Sequence, residues 1–278
     1  MKEPDTGSAR RDPVERAHLK HLQDVSHEMH RYAPGEDMTG LVRRYWVPVW
    51  SVPPGQEAPQ KVLQYPVCLV VVSGDYARFY GVVRGLSTTT LQGRGWAVGV
   101  MLAPAAGYLI AGPVDAFTDR HVNLSEILGT DGERLVTRVR AVMADDPYDI
   151  AAHRSAVGDV EDVLRRFLPV DAEGELVNAV VSSIEDDPHV LRVAQVCDRF
   201  ALSERALQRL VRRRLGLTPK WLIQRRRLQE AAERLRAGST TQAEIAVALG
   251  YADQPHFIRD FARVTRMPPG EFAALHTG

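Results

Sequence analysis

Arginine and glutamine side chains recur on one face of a predicted helix near the C-terminal end of the chain. Arg205, Gln208, Arg209 and Arg212 lie at helical spacing, opposite an apolar stripe. A guanidinium group can bridge O6 and N7 of guanine, and a glutamine amide can pair with adenine. These four side chains therefore have the chemistry that reads base edges in a major groove.

The same arrangement occurs a second time about 50 residues later. The first copy is VAQVCDRFALSERALQRLVRRRLGLTPKWL, and the second copy is AEIAVALGYADQPHFIRDFARVTRMPPGEF. The outward polar residues of the second copy are Gln254, His256, Arg259 and Arg263. The end of the chain is therefore an internal repeat, which we predict to be an all-α domain with two helix-turn-helix units.

Helix start and stop signals define the elements that must position these side chains. Ser203 and Asp253 are predicted N-caps, because their side-chain oxygens can accept otherwise unpaired backbone N–H groups. Thr218 and Pro219 predict the start of a connecting helix, and Gly238 predicts its end. A helix of about 18 residues spans about 27 Å. Such a strut could hold two recognition helices about one DNA turn apart, roughly 34 Å.

The charge distribution also favours a nucleic-acid partner for the C-terminal part. The chain is neutral overall, but it carries 19 Lys/Arg against 23 Asp/Glu before Glu175 and 16 against 12 from Glu175 onward. The basic excess is greatest between Arg199 and Arg236. We predict contacts with DNA phosphates for Ser203, Lys220, Arg225, Arg226 and Arg263. A solvated helix face is the alternative explanation for this run of charge.

The N-terminal extension, residues 1–30, is charged and poor in apolar residues. It could form a peripheral helix from Pro13 to His30 or remain disordered. It contains four histidines with some i, i+3 spacings, but no convincingly placed acidic ligand accompanies them, so we predict no metal site.

Residues 31–170 have the pattern of a β-rich domain with trailing helices. Between Tyr45 and Leu102, short runs rich in valine and aromatic residues alternate with turn-forming residues. They predict a small antiparallel sheet or barrel, followed by helical segments and then by LPVDAEGE as a linker into the domain at 175–276. The predicted fold class is therefore α+β.

Aromatic residues in this β-rich region are candidates for the walls of an effector pocket. Together with one fixed charge, the set is Trp46, Trp50, Tyr65, Phe79, Tyr80, Arg84 and Trp96. The alternative is that the aromatic side chains simply form the core of a small sheet domain.

The segment from about Glu175 to His276 resembles the DNA-binding domain of the AraC/XylS family. The stretch GYADQPHFIRDFARVTRMPPGEF is similar to the most recognisable signature of that family. The resemblance implies that both recognition helices read bases in successive major grooves, through positions such as Arg205, Gln208 and Arg209 and then Gln254, His256 and Arg259. The region around Tyr45 and Trp46, with the strand from Val67 to Val72, is similar to a β-rich sensor-like domain that precedes this module in some bacterial members.

We therefore expect a cytoplasmic transcription regulator that binds double-stranded DNA and responds to a small-molecule effector. RNA polymerase would be a partner of an activator, and a second copy of the chain, in a homodimer, is a further candidate partner. The alternative keeps the DNA reader but makes the N-terminal domain a dimerisation or protein-interaction module without a ligand. No cofactor is expected, and no run of about 20 apolar residues predicts a membrane span.

An enzyme fused to a DNA reader is the competing class of protein. Alkyl-transfer repair proteins of that kind need a reactive, usually metal-held cysteine. The chain has two cysteines, and Cys68 lies inside the apolar run YPVCLVVV, which is typical of a small packing residue. No nucleophile elbow, Walker A loop or metalloprotease helix occurs. We therefore expect no enzymatic activity.

Overall fold

Two antiparallel sheets form the N-terminal half of the molecule. The computed structural model describes residues 17–19 and 24–276. The strands are β1 (His27–Tyr32), β2 (Val42–Ser51), β3 (Ala58–Val62), β4 (Leu69–Ser73), β5 (Ala77–Tyr80), β6 (Ser87–Leu91), β7 (Arg94–Leu102) and β8 (His121–Asn123). Six of them form a sheet in the order β1-β2-β7-β4-β5-β8, and β3 pairs with β6. The predicted α+β class is confirmed, although the described strands form open sheets and not a closed barrel.

Helices follow the sheets and fill the C-terminal half. They are α1 (Ala106–Ala111), α2 (Leu124–Leu128), α3 (Thr130–Val142), α4 (Ile150–Leu164), α5 (Ala172–Asp186), α6 (Val193–Phe200), α7 (Glu204–Leu215), α8 (Pro219–Ala237), α9 (Gln242–Ala248), α10 (Gln254–Thr265) and α11 (Pro269–His276). Short 3-10 turns lie at Glu36–Met38, Val114–Phe117 and Arg165–Phe167. The paired units predicted from the repeat are α6–α7 and α9–α10, and the strut is α8.

The six-stranded sheet separates two environments because side chains alternate along a strand. Tyr45, Val47 and Val49 of β2 are buried against the helices together with Val98 and Val100 of β7. The intervening residues of the same strands face the β3–β6 sheet instead. One face of the sheet is thus a core and the other is the wall of a cavity.

Two large apolar clusters hold the molecule together. The first core joins the sheet and helices α1–α5 to the first helix-turn-helix unit, which contributes Val196, Leu207, Val211 and Leu215. The second core is made mainly by the later half of the strut and the second unit. Its buried members are Leu63, Leu228, Ala231, Ala232, Leu235, Ile245, Ala246, Leu249, Tyr251, Phe257, Phe261, Val264 and Phe272.

Two local expectations differ from the structure. His27 to His30 belong to β1, paired with β2, and not to a peripheral helix. The i, i+3 histidine spacing imitates a helix, whereas the strand alternation of HEMHRY places His27, Met29 and Arg31 on the cavity side. Residues 1–16 and 20–23 lie outside the described part of the chain.

The stretch LPVDAEGE is structured and does not form a loose linker. Helix α5 starts inside it, and the Asp171 carboxylate caps that helix by accepting from the Gly174 N–H at 2.7 Å. The buried Arg214 guanidinium of α7 also donates to Asp171 and, at 3.2 Å, to Glu173. This contact ties the first helix-turn-helix unit to the start of α5.

Candidate nucleic-acid interface and effector cavity

The first helix-turn-helix unit has the expected caps and the expected apolar face. The Ser203 hydroxyl accepts from the Ala206 N–H at 3.2 Å and starts α7. Leu207 and Val211 are fully buried, with Leu210 and Leu215 beside them. Burial of this face fixes which side of α7 is left for another molecule.

The opposite face of α7 is exposed. Arg205, Gln208, Arg209 and Arg212, all predicted to read bases, are on this face. The Gln208 amide donates to the Glu204 carboxylate at 2.9 Å along the helix. The first unit therefore presents three guanidinium groups and one amide to solvent, as a recognition helix requires.

The second unit repeats this geometry on α10. The Asp253 carboxylate accepts from the His256 N–H at 2.7 Å and caps the helix. Phe257 and Phe261 are fully buried, while Gln254, His256 and Arg259 are exposed. The edge of the His256 ring lies against Tyr251, with ring centroids 5.3 Å apart. The structure thus gives each recognition helix an exposed polar face.

Two positions with left-handed backbone (positive φ) occur in both copies of the repeat, and at each of them only one copy has glycine. The turn between the helices has φ of 52° at Ala201 and 69° at Gly250. The ends of α7 and α10 have φ of 67° at Gly216 and 62° at Arg266. Left-handed backbone closes the helices at both places, so its geometry is kept in each unit even where glycine is absent.

Three of the residues predicted to contact phosphate lie at the surface. Lys220 is exposed in the first turn of the strut. Arg263 is also exposed and pairs with Asp260. Ser203 is exposed, and its hydroxyl serves as the cap of α7.

Arg225 and Arg226 are placed differently from the prediction. Both guanidinium groups are buried, at 3% and 5% exposure. Arg225 donates to the carbonyls of Val83, Arg84 and Gly85 at 3.4, 2.6 and 3.2 Å. Burial lowers the pKa of Arg225 to about 10. The structure does not support a phosphate role for this side chain, because it is committed to carbonyls of the N-terminal domain.

Arg226 is held inside the C-terminal part. It donates to the Val190 carbonyl at 3.0 Å and to the Glu230 carboxylate at 2.6 Å. Its predicted phosphate contact is likewise unsupported. Positions 222, 225, 226 and 229 have the i, i+3, i+4, i+7 spacing of a buried helix face. The periodicity of the strut could therefore have predicted that Arg225 and Arg226 are buried.

A cavity of about 170 Å³ lies between the six-stranded sheet and the β3–β6 sheet. Four of the seven predicted pocket residues line it: Trp46, Trp50, Tyr65 and Tyr80. Four of the predicted side chains thus share one cavity, and its use as an effector site stays a prediction.

The other three predicted pocket residues lie elsewhere. Phe79 is fully buried in the first core, next to Phe117. Trp96 packs against that core as well. Arg84 is on the surface, where its Nε donates to Asp119 at 2.8 Å. Strand alternation explains why Tyr80 lines the cavity whereas Phe79 is in the core, because adjacent residues of one strand point to opposite faces.

Two glycines shape the floor of the cavity. Trp46 is opposite Gly99 in the sheet register, and Trp50 is opposite Gly95. A Cβ atom added to Gly99 would lie 2.1 Å from the Trp46 indole, and one added to Gly95 would lie 2.4 Å from that of Trp50. Both indoles therefore lie over bare backbone, which only glycine permits at this distance.

Cationic and polar side chains complete the lining and were not predicted. Arg31, Arg44, His18 and His27 are among them, as is Gln60. No Asp or Glu occurs among the described lining residues. Strand alternation could have predicted Arg44 as a lining residue, because it lies on the same face of β2 as Trp46 and Trp50.

Cys68 is buried in the first core and not at either of these sites. Burial raises the pKa of its thiol to about 12, which disfavours the thiolate that a nucleophile requires. Among residues 17–19 and 24–276, no three His, Cys, Asp or Glu side chains come together as a metal-ion site would need. None of the helices in the described part of the chain is long and apolar enough to cross a membrane.

Comparison with known families matches both halves of the chain. Residues 196–274 match a helix-turn-helix domain family, and residues 30–123 match a domain of unknown function, DUF6597. The first match covers both helix-turn-helix units and the strut. The second begins inside β1 and ends with β8.

Curated relatives and solved structures add more distant similarities. The chain is 29% identical over 143 residues to the HTH-type transcriptional activator RhaS of Escherichia fergusonii, covering 50% of this chain and 51% of RhaS. It is 36% identical over 74 residues to RhaS of Escherichia coli O1:K1 / APEC, covering 27% of each. The chain thus spans about half the length of one relative and about a quarter of the other.

Two structures of ToxT from Vibrio cholerae are similar at 12% and 13% identity, with TM-scores of 0.41 and 0.39. The alignments cover 91% and 92% of this chain and 98% and 100% of ToxT. The helix-turn-helix family match, at residues 196–274, falls on the doubled unit whose geometry is described above. The chain therefore carries, at residues 196–274, a helix-turn-helix domain similar to that of AraC-type regulators, preceded by a β-sheet domain that matches DUF6597 over residues 30–123.

Proposed function

We propose that this chain binds operator DNA through two successive major grooves and that a small molecule in the N-terminal cavity controls this binding. The observation that carries the first part is the pair of recognition helices, each with a buried apolar face and an exposed face of arginine, glutamine or histidine. Arg205, Gln208, Arg209 and Arg212 would read one groove, and Gln254, His256 and Arg259 the next.

The first test is the base preference of arginine variants. Arg209→Ala and Arg259→Ala are each expected to relax discrimination at one base position and to cost about 1–3 kcal/mol of binding free energy, because a bidentate contact with guanine is lost. The measurement is the Kd for a duplex selected by the wild-type chain from a random library, compared with single-base variants and with a scrambled duplex.

Two control variants separate base reading from general electrostatics. Arg134→Ala removes an exposed arginine from α3 and is expected to leave the Kd unchanged. Lys220→Ala is expected to weaken binding to every duplex alike and to reduce the salt slope by about 1, as loss of a phosphate contact would. Unchanged discrimination in both recognition-helix variants would rule out the assignment of Arg209 and Arg259.

The cavity supports an organic anion with a flat apolar body as the effector. Trp46, Trp50 and Tyr80 provide aromatic surface, and Arg31 and Arg44 provide positive charge. Guanidinium groups bind carboxylates with paired hydrogen bonds, and low-dielectric walls strengthen the attraction.

Matched ligand pairs test this choice of effector. An aromatic carboxylate of suitable size is expected to raise the melting temperature more than its primary amide does, because only the former carries charge for the arginines. The comparison uses Gly99→Val as a blocked variant, since the added side chain would displace the Trp46 indole into the cavity. Equal shifts for acid and amide, or a response retained by Gly99→Val, would contradict the proposed site.

Two further partners follow from this function. RNA polymerase is a partner if the bound sites lie beside activated promoters, and a footprint of the bound genome would identify them. A homodimer is the second, and sedimentation with and without DNA measures it. A chain that dimerises but gives no thermal shift with any ligand would favour a dimerisation module in place of a sensor.

A further inference from the structure

The β3–β6 layer is shared between the cavity and the DNA reader. We call residues 17–19, β3 with the adjoining residues 63–64, and β6 with the preceding residues 83–86 the cavity wall. Residues 17–19 run along β3, with the Leu19 N–H donating to the Lys61 carbonyl at 2.8 Å and the Leu63 N–H to the Ala17 carbonyl at 2.7 Å. One side of this wall lines the cavity through Gln60, Val62, Gln64, Ser87 and Thr89.

The other side of the cavity wall belongs to the second core. Leu63 is fully buried in that core, and Leu19 and Leu86 pack against it. Each strand-like segment of the wall thus contributes one leucine to the cluster that contains Phe257 and Phe261 of the second recognition helix. Apolar contacts of this kind transmit displacement because packed cores are not readily compressed.

Hydrogen bonds from the strut fix the ends of the wall. The buried Gln229 amide donates to the Leu63 carbonyl at 2.7 Å, just beyond the end of β3. Arg225 donates to the carbonyls at 83–85, just before β6. Arg236 donates to the His18 carbonyl. The strut therefore contacts all three segments of the wall.

The first helix-turn-helix unit is anchored differently. Val196, Leu207 and Leu215 belong to the first core, together with the face of the six-stranded sheet that is turned away from the cavity. A change in the cavity therefore reaches the two units by different routes. The wall shares the second core with the second unit and the strut, whereas the sheet separates the cavity from the first unit.

We infer that the cavity wall sets the orientation of the second helix-turn-helix unit relative to the first, with Gln229 and Leu86 as positioning residues. This rests on the proposed function, because it assumes that both units contact DNA. Its consequence is specific: loosening the wall changes the preferred spacing between the two half-sites and not the affinity of the first unit for its own half-site.

Duplexes of altered spacing test the inference in the full-length chain. The two half-sites are taken from sequences that the wild-type chain selects, and one or two base pairs are inserted or removed between them. Gln229→Met keeps the buried volume but removes the hydrogen bond to Leu63. Leu86→Ala loosens the wall at its other strand and is only half-buried, so it serves as a second variant.

The expected result is a loss of spacing preference in both variants. The ratio of Kd values between the altered and the selected spacing should fall by about fivefold or more, comparable to the loss of one base-pair contact. Binding to a duplex that carries the first half-site alone should not change. Thr88→Ala, an exposed position of β6, is the matched control and should keep the wild-type preference.

The contrary results are distinct. If the wild-type chain selects two half-sites and both variants keep the wild-type spacing preference, the inference is wrong and the proposed function stands. An equal loss of affinity for the single first half-site would also overturn the inference, because the wall would then act on both units. If the wild-type chain selects no duplex, the proposed function fails and the inference fails with it.

Discussion

Replacing Phe261 with alanine is expected to lower the free energy of unfolding by about 3–5 kcal/mol, as for other phenylalanines removed from cores. Phe261 is fully buried in the second core, and its ring centroid lies 5.8 Å from that of Phe257 and 5.5 Å from that of Phe272. Hydrogen exchange should lose protection in α9, α10 and α11, while the six-stranded sheet stays protected. Binding to a two-site duplex should fall towards that of the first half-site alone.

Leu207→Ala is the matched variant in the first unit. Leu207 is also fully buried, but it belongs to the core that includes the sheet. Its loss should cost about 2–5 kcal/mol and should reduce protection in the sheet as well. If Phe261→Ala exposed the amides of β2 and β7 to the same extent as Leu207→Ala, the division into two cores would be wrong.

Local patterns were enough to predict the helices of the two helix-turn-helix units. The caps at Ser203, Thr218 and Asp253 follow from side-chain oxygens placed just before apolar-periodic stretches, and each accepts the expected backbone hydrogen bond. The exposed faces of α7 and α10 follow from the 3.6-residue period. The helix caps and exposed faces depend on residues within one or two helical turns, so they can be predicted from the local sequence.

The cavity depended on contacts that are remote in sequence. Trp46 lies over Gly99 only because β2 pairs with β7 in one register, and the sequence does not fix that register. The basic run at Arg225 and Arg226 predicts phosphate contacts, with at least one arginine of the run packed along the strut. In the structure, Arg225 donates to carbonyls at 83–85 and Arg226 donates to the carbonyl at 190. Both sets of acceptors lie well before the strut in the chain.

The burial of the strut also changes what its arginines do. Residues 222, 225, 226 and 229 lie on its buried face, so this helix is a structural member of both domains. Its exposed positive charge is correspondingly smaller than the sequence suggests. In the function proposed above, affinity for phosphates would come more from exposed groups such as Lys220 and the arginines of α7, and less from the middle of the strut.

Asp260→Ala is expected to cost about 3 kcal/mol of unfolding free energy. The Asp260 carboxylate is 6% exposed and accepts from the Gln224 amide at 2.7 Å and from the Tyr251 hydroxyl at 2.9 Å. Removing it leaves the buried Tyr251 hydroxyl and the half-buried Gln224 amide without this acceptor, and an unsatisfied buried group costs about 1–3 kcal/mol. Because Gln224 is on the strut and Tyr251 precedes α10, the change should also loosen the second unit from α8. Urea unfolding at pH 7 measures the cost.

The pH dependence of that cost identifies the carboxylate. Burial alone would raise the pKa of Asp260, but hydrogen bonds from Gln224, Arg263 and Tyr251 together hold it below its usual value. A lowered folded-state pKa means that the stabilisation is fully present above the unfolded value of about 3.9 and is lost as the pH falls through the folded value. The difference in stability between wild type and Asp260→Asn should therefore shrink below about pH 4. Glu271→Gln, an exposed control on α11, should not reproduce the effect. If the difference in free energy of unfolding between wild type and Asp260→Asn stayed constant between pH 7 and pH 3, Asp260 would act by shape and not by charge.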